Sequence, residues 1–211
     1  MSEGQARPGG MQLVPAINTA MRRVPGWLLY ILGAAYAGWL FYLGLTGGLG
    51  VEPIEALEHE YGNVALKLLL AGLAITPLRQ RLGVNLMGWR RAIGVTTFFF
   101  VLAHFLVWAV LDVQTLGAIW ADIVKRPYVT IGMAGFLCLI PLAVTSNNLS
   151  IRKMGPLAWR KLHKLVYPAA LLGATHYVWL AKGFQIEPLV YLAITLTLLA
   201  LRIRPAKGRV A

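Results

Sequence analysis

The chain has 211 residues, 58% of them hydrophobic and 13% charged, with a mean hydropathy of +0.64. A soluble domain of this length needs far more polar surface, and the apolar residues fall in long blocks between charged clusters, as membrane spans do and alternating strands do not. The net charge of +12 invites a nucleic-acid role, but no compact basic domain or binding motif carries one, so that class is excluded.

In chain order, residues 1–25 read as a cytoplasmic N-terminal tail. It has no apolar core ahead of Arg22, so the first span is expected to be a retained signal-anchor rather than a cleaved leader. Six helices follow, predicted from Trp27 to Gly47, Gly62 to Leu78, Ala92 to Leu111, Tyr128 to Thr145, Leu165 to Ala181 and Pro188 to Ile203. A hydrocarbon core about 30 Å thick takes roughly 20 helical residues. The second segment is the shortest, carries Lys67 and ends at Pro77. Pro141 and Pro168 fall inside the fourth and fifth, where membrane helices accept a kink. Within 113–126, Leu116, Ile119, Trp120 and Ile123 have the spacing of an amphipathic interfacial helix. The expected fold is an all-α membrane protein, a six-transmembrane-helix bundle over residues 26–204, with a cytoplasmic tail at 205–211.

The charges orient the bundle. With the N-terminus inside, the inner segments hold Arg7, Arg22 and Arg23; Arg79, Arg81, Arg90 and Arg91; Arg152, Lys153, Arg160, Lys161 and Lys164; and Arg202, Arg204, Lys207 and Arg209. Only Lys125, Arg126 and Lys182 fall outside, with the acids Glu52, Glu55, Glu58, Glu60, Asp112, Asp122 and Glu187. This is the positive-inside pattern, and it places both termini in the cytoplasm. The inner basic clusters suit anionic lipid, an acidic flavoprotein or the phosphate of a flavin. The outer acidic run Glu52–Glu60 reads as a solvated loop or a dock for a basic partner. Trp27, Trp89, Trp108, Trp120, Trp159 and Trp179 fall near span ends, as an interfacial belt does. Trp108 and Trp179 are also placed to stand beside a cofactor, and Phe98–Phe100 reads as packing.

Of the four histidines, His59 lies in the acidic outer segment and reads as a surface residue. His104 lies deep in the third span, and His163 and His176 lie at the start of the fifth and further along it. An ionisable group inside a membrane is costly and needs a polar partner or a function. His104 is 14 residues beyond Arg90, and His176 is 13 beyond His163. Each interval is about 20 Å of helix, and the two helices run parallel, so His104 and His176 share one depth near the outer face. Two neutral imidazoles at one depth on facing helices can be the axial ligands of a haem iron, or a proton relay. His163 shares the inner level with Arg90, and lies about 140° around an ideal helix from His176 unless Pro168 reduces the angle. Arg90 is a poor iron ligand, because its guanidinium keeps its proton; it suits a propionate or a phosphate instead. Cys138 has no partner in the chain and no C-x-x-C-H motif is present, so any haem is non-covalent.

The stretches Trp-Arg-Arg-Ala-Ile-Gly ahead of His104, and Thr-Ser-Asn-Asn through Trp-Arg-Lys-Leu-His-Lys-Leu-Val-Tyr to His176-Tyr, resemble the MsrQ (YedZ) family within the ferric-reductase-like transmembrane group. The resemblance covers most of the chain from the first span onward. It implies an electron-transfer subunit in the bacterial inner membrane, with His104, His163 and His176 as the haem-associated histidines. One b-type haem, or two, is implied, together with an FMN for which Arg90 and Arg91 are the candidate anion-binding residues. The implied partners are a periplasmic molybdopterin enzyme that reduces methionine sulfoxide, which would hold the catalysis, and a cytoplasmic NAD(P)H flavin reductase or quinol. The larger ferric reductases have histidine pairs at both levels and C-terminal flavin and nicotinamide domains; here Arg90 breaks the inner pair, and no G-x-G-x-x-G context exists. The alternatives are a quinol-linked or metal-reducing di-haem cytochrome b, a transporter relaying protons through the same histidines, and an anchor without a redox role.

Overall fold

The computed structural model describes residues 10–181 and 185–203. Arg7, Lys182, Arg204, Lys207 and Arg209, used above to orient the chain, lie outside the described residues, as does the 205–211 tail.

Among the described residues every regular element is helical. The helices are α1 (Gly10–Arg23), α2 (Leu28–Leu45), α3 (Pro53–Leu82), α4 (Arg90–Leu106), α5 (Leu116–Lys125), α6 (Pro127–Val144), α7 (Asn148–Met154), α8 (Pro156–Leu162), α9 (Val166–Leu180) and α10 (Ile186–Ile203). Four stretches are long and apolar enough to cross a membrane: Leu28–Leu45, Pro53–Leu82, Met87–Val113 and Pro127–Val144. The fifth expected span is α9, which at 15 residues is shorter than a straight crossing requires; the sixth corresponds to α10.

Four helices build the centre. α3 packs along α4, α6 packs along α9, and contacts of α4 with α6 and α3 with α9 close the ring; α10 lies against α9 and α3, and α2 lies outside against α3 and α4. The half of the ring toward Arg90 and Arg202 is solid. Leu70, Leu73, Leu142 and Ala170 are buried there, with Phe98 and Tyr167 packed against them.

Several elements differ from the sequence reading for identifiable reasons. α3 is 30 residues long, about 45 Å, and takes in the acidic run read as a loop. Pro53 is at its first turn, where a missing N–H costs nothing, and Gly83 ends it in the left-handed conformation (φ 75°) that glycine adopts without strain. Pro77 stays inside the helix. Lys67, midway along α3, is exposed on its outer surface, where the long stem lets the ammonium reach toward polar groups.

The N-terminal tail contains α1. Val14, Asn18 and Met21, at i, i+4 and i+7, form its less exposed face, which docks on the α3–α4 connection. Asn18 donates to the Gly83 carbonyl at 3.0 Å and accepts from the Asn85 N–H at 2.7 Å, and Trp89 Nε1 donates to the Met21 carbonyl. The interfacial helix α5 forms as expected, capped by Thr115, but its apolar residues divide between two faces. Ile119 and Ile123 pack beside Trp108 and Val129, while Leu116, Trp120 and Val124 are exposed.

Pro168 sits in the first turn of α9, where proline removes no hydrogen bond. The α-helix is interrupted earlier, by a 3-10 turn at His163–Leu165, so His163 and His176 are not on one regular helix and the 140° estimate does not apply.

α2 can approach α4 because Gly33 faces Thr96: a Cβ there would lie 2.8 Å from the Thr96 methyl. Gly33→Ala should therefore destabilise the detergent-solubilised protein by about 1–3 kcal/mol through overpacking. Adding Thr96→Ser, which deletes that methyl, should restore most of the loss in a thermal melt.

Candidate functional site: a histidine pair lining a cavity

A cavity of about 470 Å³ opens between α3, α4, α6 and α9 toward the end of the bundle that carries the acidic residues. That is within the range of about 300–1,000 Å³ typical of cofactor sites. Gly62 on α3, Gly132 and Gly135 on α6, and Ala169 and Gly173 on α9 line it, so space opens where larger side chains would fill the ring. A Cβ built at Gly173 would meet nothing within 4 Å. Immediately beyond His104, α4 widens into a π-helical turn at Val107–Val113 that buries Trp108 in the cavity wall.

His104 and His176 face each other across this cavity. Their ring centroids are 6.2 Å apart and their planes cross at 78°. His104 Nδ1 lies 2.9 Å from the Glu58 carbonyl on α3, and His176 Nδ1 lies 2.7 Å from the Tyr128 carbonyl on α6. A carbonyl oxygen only accepts, so each Nδ1 carries the proton and donates. Each Nε2 is then the nitrogen with the free lone pair, the state in which imidazole binds a metal.

The spacing suits a shared iron. A metal–imidazole bond of about 2 Å on each side, plus about 1 Å from nitrogen to ring centre, puts two axial rings roughly 6 Å apart. A bare ion is a poorer fit. Among the described residues no group of three or more His, Cys, Asp or Glu side chains converges on one point, whereas a porphyrin brings its own equatorial nitrogens.

The other predicted residues lie elsewhere. His59 is exposed at the acidic mouth with Glu52 and Glu55, and Asp112 and Arg126 also line it. Arg126 pairs with Asp122 at 3.2 Å. His163 is not part of the cavity lining. Its Nε2 is 3.0 Å from the Thr145 hydroxyl, which itself donates to the Pro141 carbonyl at 2.6 Å. The hydroxyl proton is thereby committed, so His163 Nε2–H is the donor, the reverse of the tautomer in the pair. The Trp159 ring stacks on His163 at 3.7 Å and its indole N–H donates to the Thr145 carbonyl.

Arg90, half-buried at the start of α4, is within Coulombic reach of Arg202 and His163. Arg91 instead donates to Asn148 at 2.7 Å. Arg202, one basic residue among several in the sequence, reaches the Leu73 carbonyl (2.6 Å) and the Tyr167 hydroxyl (3.0 Å), tying α10 to α3 and α9.

The chain matches, over residues 60–174, the family described as ferric reductase like transmembrane component. It is 48% identical to a protein of Agrobacterium fabrum named protein-methionine-sulfoxide reductase heme-binding subunit MsrQ, over 92% of this chain and 90% of that one. The chain belongs to the MsrQ family. A Brucella ovis protein of the same name is 47% identical over 84% of this chain and 80% of its own length. No solved structure matches the chain. The matched region begins within α3 and ends within α9, two residues before His176, so it takes in α4 and α6 whole and the greater part of α3 and α9.

The sequence reading missed the partners of the histidines. Backbone carbonyls leave no mark in a sequence, and the visible trace is one of the two glycines in each helix that supplies a carbonyl, Gly62 beside Gly72 in α3 and Gly132 beside Gly135 in α6.

His163 also yields a pH prediction. Burial, and then the Arg90 cation, hold its imidazole below the ordinary 6.5. The unfolded chain therefore takes up this proton first, and the neutral ring's contribution to stability is complete above about pH 6.5 and lost as pH falls below it. The melting temperature should drop on going from about pH 7 to pH 5.5, and His163→Gln should flatten part of that slope.

Proposed function

We propose that the chain is the haem-binding membrane subunit of a protein-methionine-sulfoxide reductase, with one b-type haem held between His104 and His176. In this reading six helices, α2, α3, α4, α6, α9 and α10, cross the bacterial inner membrane with both termini in the cytoplasm. Electrons enter at the inner end from a flavin reductase or quinol and leave at the acidic outer end. There a periplasmic molybdopterin enzyme takes them to reduce methionine sulfoxide, so catalysis belongs to the partner chain.

One observation carries the reading: both histidines of a half-buried pair are held as Nδ1–H donors, which leaves each Nε2 lone pair free, and both rings line one cavity. A proton relay is served poorly by that arrangement, because each ring has one nitrogen committed to a helix carbonyl and cannot pass its proton on without breaking the bond. When bound, the haem supplies a one-electron couple; the protein's part is to hold the two nitrogens, exclude water and keep the site dry. Trp108 and Phe105 make the apolar wall, and the glycines of α3, α6 and α9 leave room for a flat ring.

A single haem is favoured by the inner half of the ring, where Leu70, Leu73, Leu142 and Ala170 occupy the space a second one would need. It is favoured also by Arg90, which stands where a fourth ligand would be required. We assign His163, with Arg90 and Arg202, to the electron-entry end. Arg90 is the residue suited to an anionic donor group such as a flavin phosphate, and Arg91 is held by Asn148.

Protein purified after expression with ample haem should show a Soret band and, on reduction with dithionite, sharp α and β bands. His104→Ala and His176→Ala should each abolish the low-spin spectrum, and His163→Ala should retain it. A spectrum lost only in His163→Ala would overturn the pairing, and a colourless wild type would overturn the function. The acceptor is tested separately. Reduced protein mixed with the methionine sulfoxide reductase encoded in the same organism should be reoxidised when methionine sulfoxide is added; an active partner that leaves it reduced would sink that assignment.

A further inference from the structure

The two histidines are held by the same device twice. His104, on α4, donates to the carbonyl of Glu58 on α3, and four residues along α3 is Gly62; His176, on α9, donates to the carbonyl of Tyr128 on α6, and four residues along α6 is Gly132. In a helix the carbonyl of residue i already accepts the N–H of residue i+4. A ring that approaches the same oxygen from a neighbouring helix passes directly over the side-chain position of residue i+4.

Any Cβ there collides with it. At Gly62 it would lie 3.2 Å from His104 Nδ1 and 3.4 Å from Cε1. At Gly132 it would lie 2.9 Å from His176 Nδ1, 3.0 Å from Cε1 and 3.3 Å from Cγ. Both values crowd a ring whose own hydrogen bond keeps it from retreating, and the second is the tighter.

We infer that Gly62 and Gly132 are positioning residues for the iron site: each lets one imidazole seat its Nδ1–H on a helix carbonyl, and together the two seats fix the rings nearly perpendicular, at 78°. This rests on the haem reading above. Neither glycine binds the iron. They act through the orientation of the rings, to which the electronic structure of a ferric haem responds: crossed axial planes leave two of the iron's d orbitals nearly equal in energy, which spreads the g values of the low-spin state, whereas parallel planes split the orbitals and draw the g values together.

The test is electron paramagnetic resonance and haem retention on the detergent-purified, haem-loaded full chain, as wild type, Gly132→Ala, Gly62→Ala and Gly72→Ala. Gly72 is a control for packing between α3 and α4, since a Cβ there meets only the Ile93 methyl at 3.4 Å and no histidine. The wild type should give a strongly anisotropic low-spin signal with one g value well displaced from the parallel-ring pattern. Gly132→Ala should move that g value and weaken haem retention by about 10–100-fold, the usual cost of disturbing the group that orients a ligand histidine. Gly62→Ala should do the same to a smaller extent, and Gly72→Ala should leave both unchanged. If Gly132→Ala does not fold, the milder Gly62→Ala against Gly72→Ala decides. A parallel-ring signal in the wild type, or wild-type g values and retention in both histidine-facing variants, would overturn the inference while leaving the haem reading intact. A wild type without low-spin haem would overturn that reading and the inference with it.

Discussion

A neutral imidazole buried in an apolar bundle has one N–H that must find an acceptor, because no water is there to take it. In an all-helical protein the nearest acceptors are carbonyls already engaged in their own helices. Here the Glu58 and Tyr128 carbonyls each take a second donor, and they can do so only because the next turn of each helix presents a glycine. The rest of the bundle follows from that. α3 must lie close along α4 and α6 close along α9, and the two pairs must face each other across the shared cavity.

The two ends of the bundle have opposite chemistry. At the acidic end the cavity opens among Glu52, Glu55, Glu58 and Asp112, with Arg126 as the cation beside them. At the opposite end Arg90, Arg202 and His163 gather around Tyr167 and Thr145, and a packed layer of leucines separates them from the pair. In the proposed direction of travel, electrons cross that dry layer. Its low dielectric disfavours stray charge and proton leakage, while the open acidic end leaves the site within the proposed partner's reach.

Much of this was legible in the sequence because depth in a helix is only a matter of counting. Two intervals of nearly equal length, Arg90 to His104 and His163 to His176, placed the deep histidines at one level, and the structure brings those rings to 6.2 Å. What counting could not reach was rotation. The ideal-helix angle between His163 and His176 failed because a 3-10 turn interrupts the helix, and Pro168, expected to bend it, simply begins α9. The second span read as short because hydropathy sees only the apolar stretch, whereas Glu55 through Glu60 continue the same helix with polar groups at the bundle's end. α1 was hidden for the opposite reason: its docking relies on Asn18, Met21 and Trp89 meeting across some 65 residues of chain. The seats of the histidines were the least visible of all, since a carbonyl has no letter and a glycine in a membrane helix has many uses.

A haem shared by His104 and His176 puts one iron atom at one position. Anomalous X-ray scattering at the iron edge, from crystals of the haem-loaded protein, locates it directly. A single strong peak is expected between His104 and His176, within bonding distance of both Nε2 atoms. A peak beside His163, or none between α4 and α9, would contradict it.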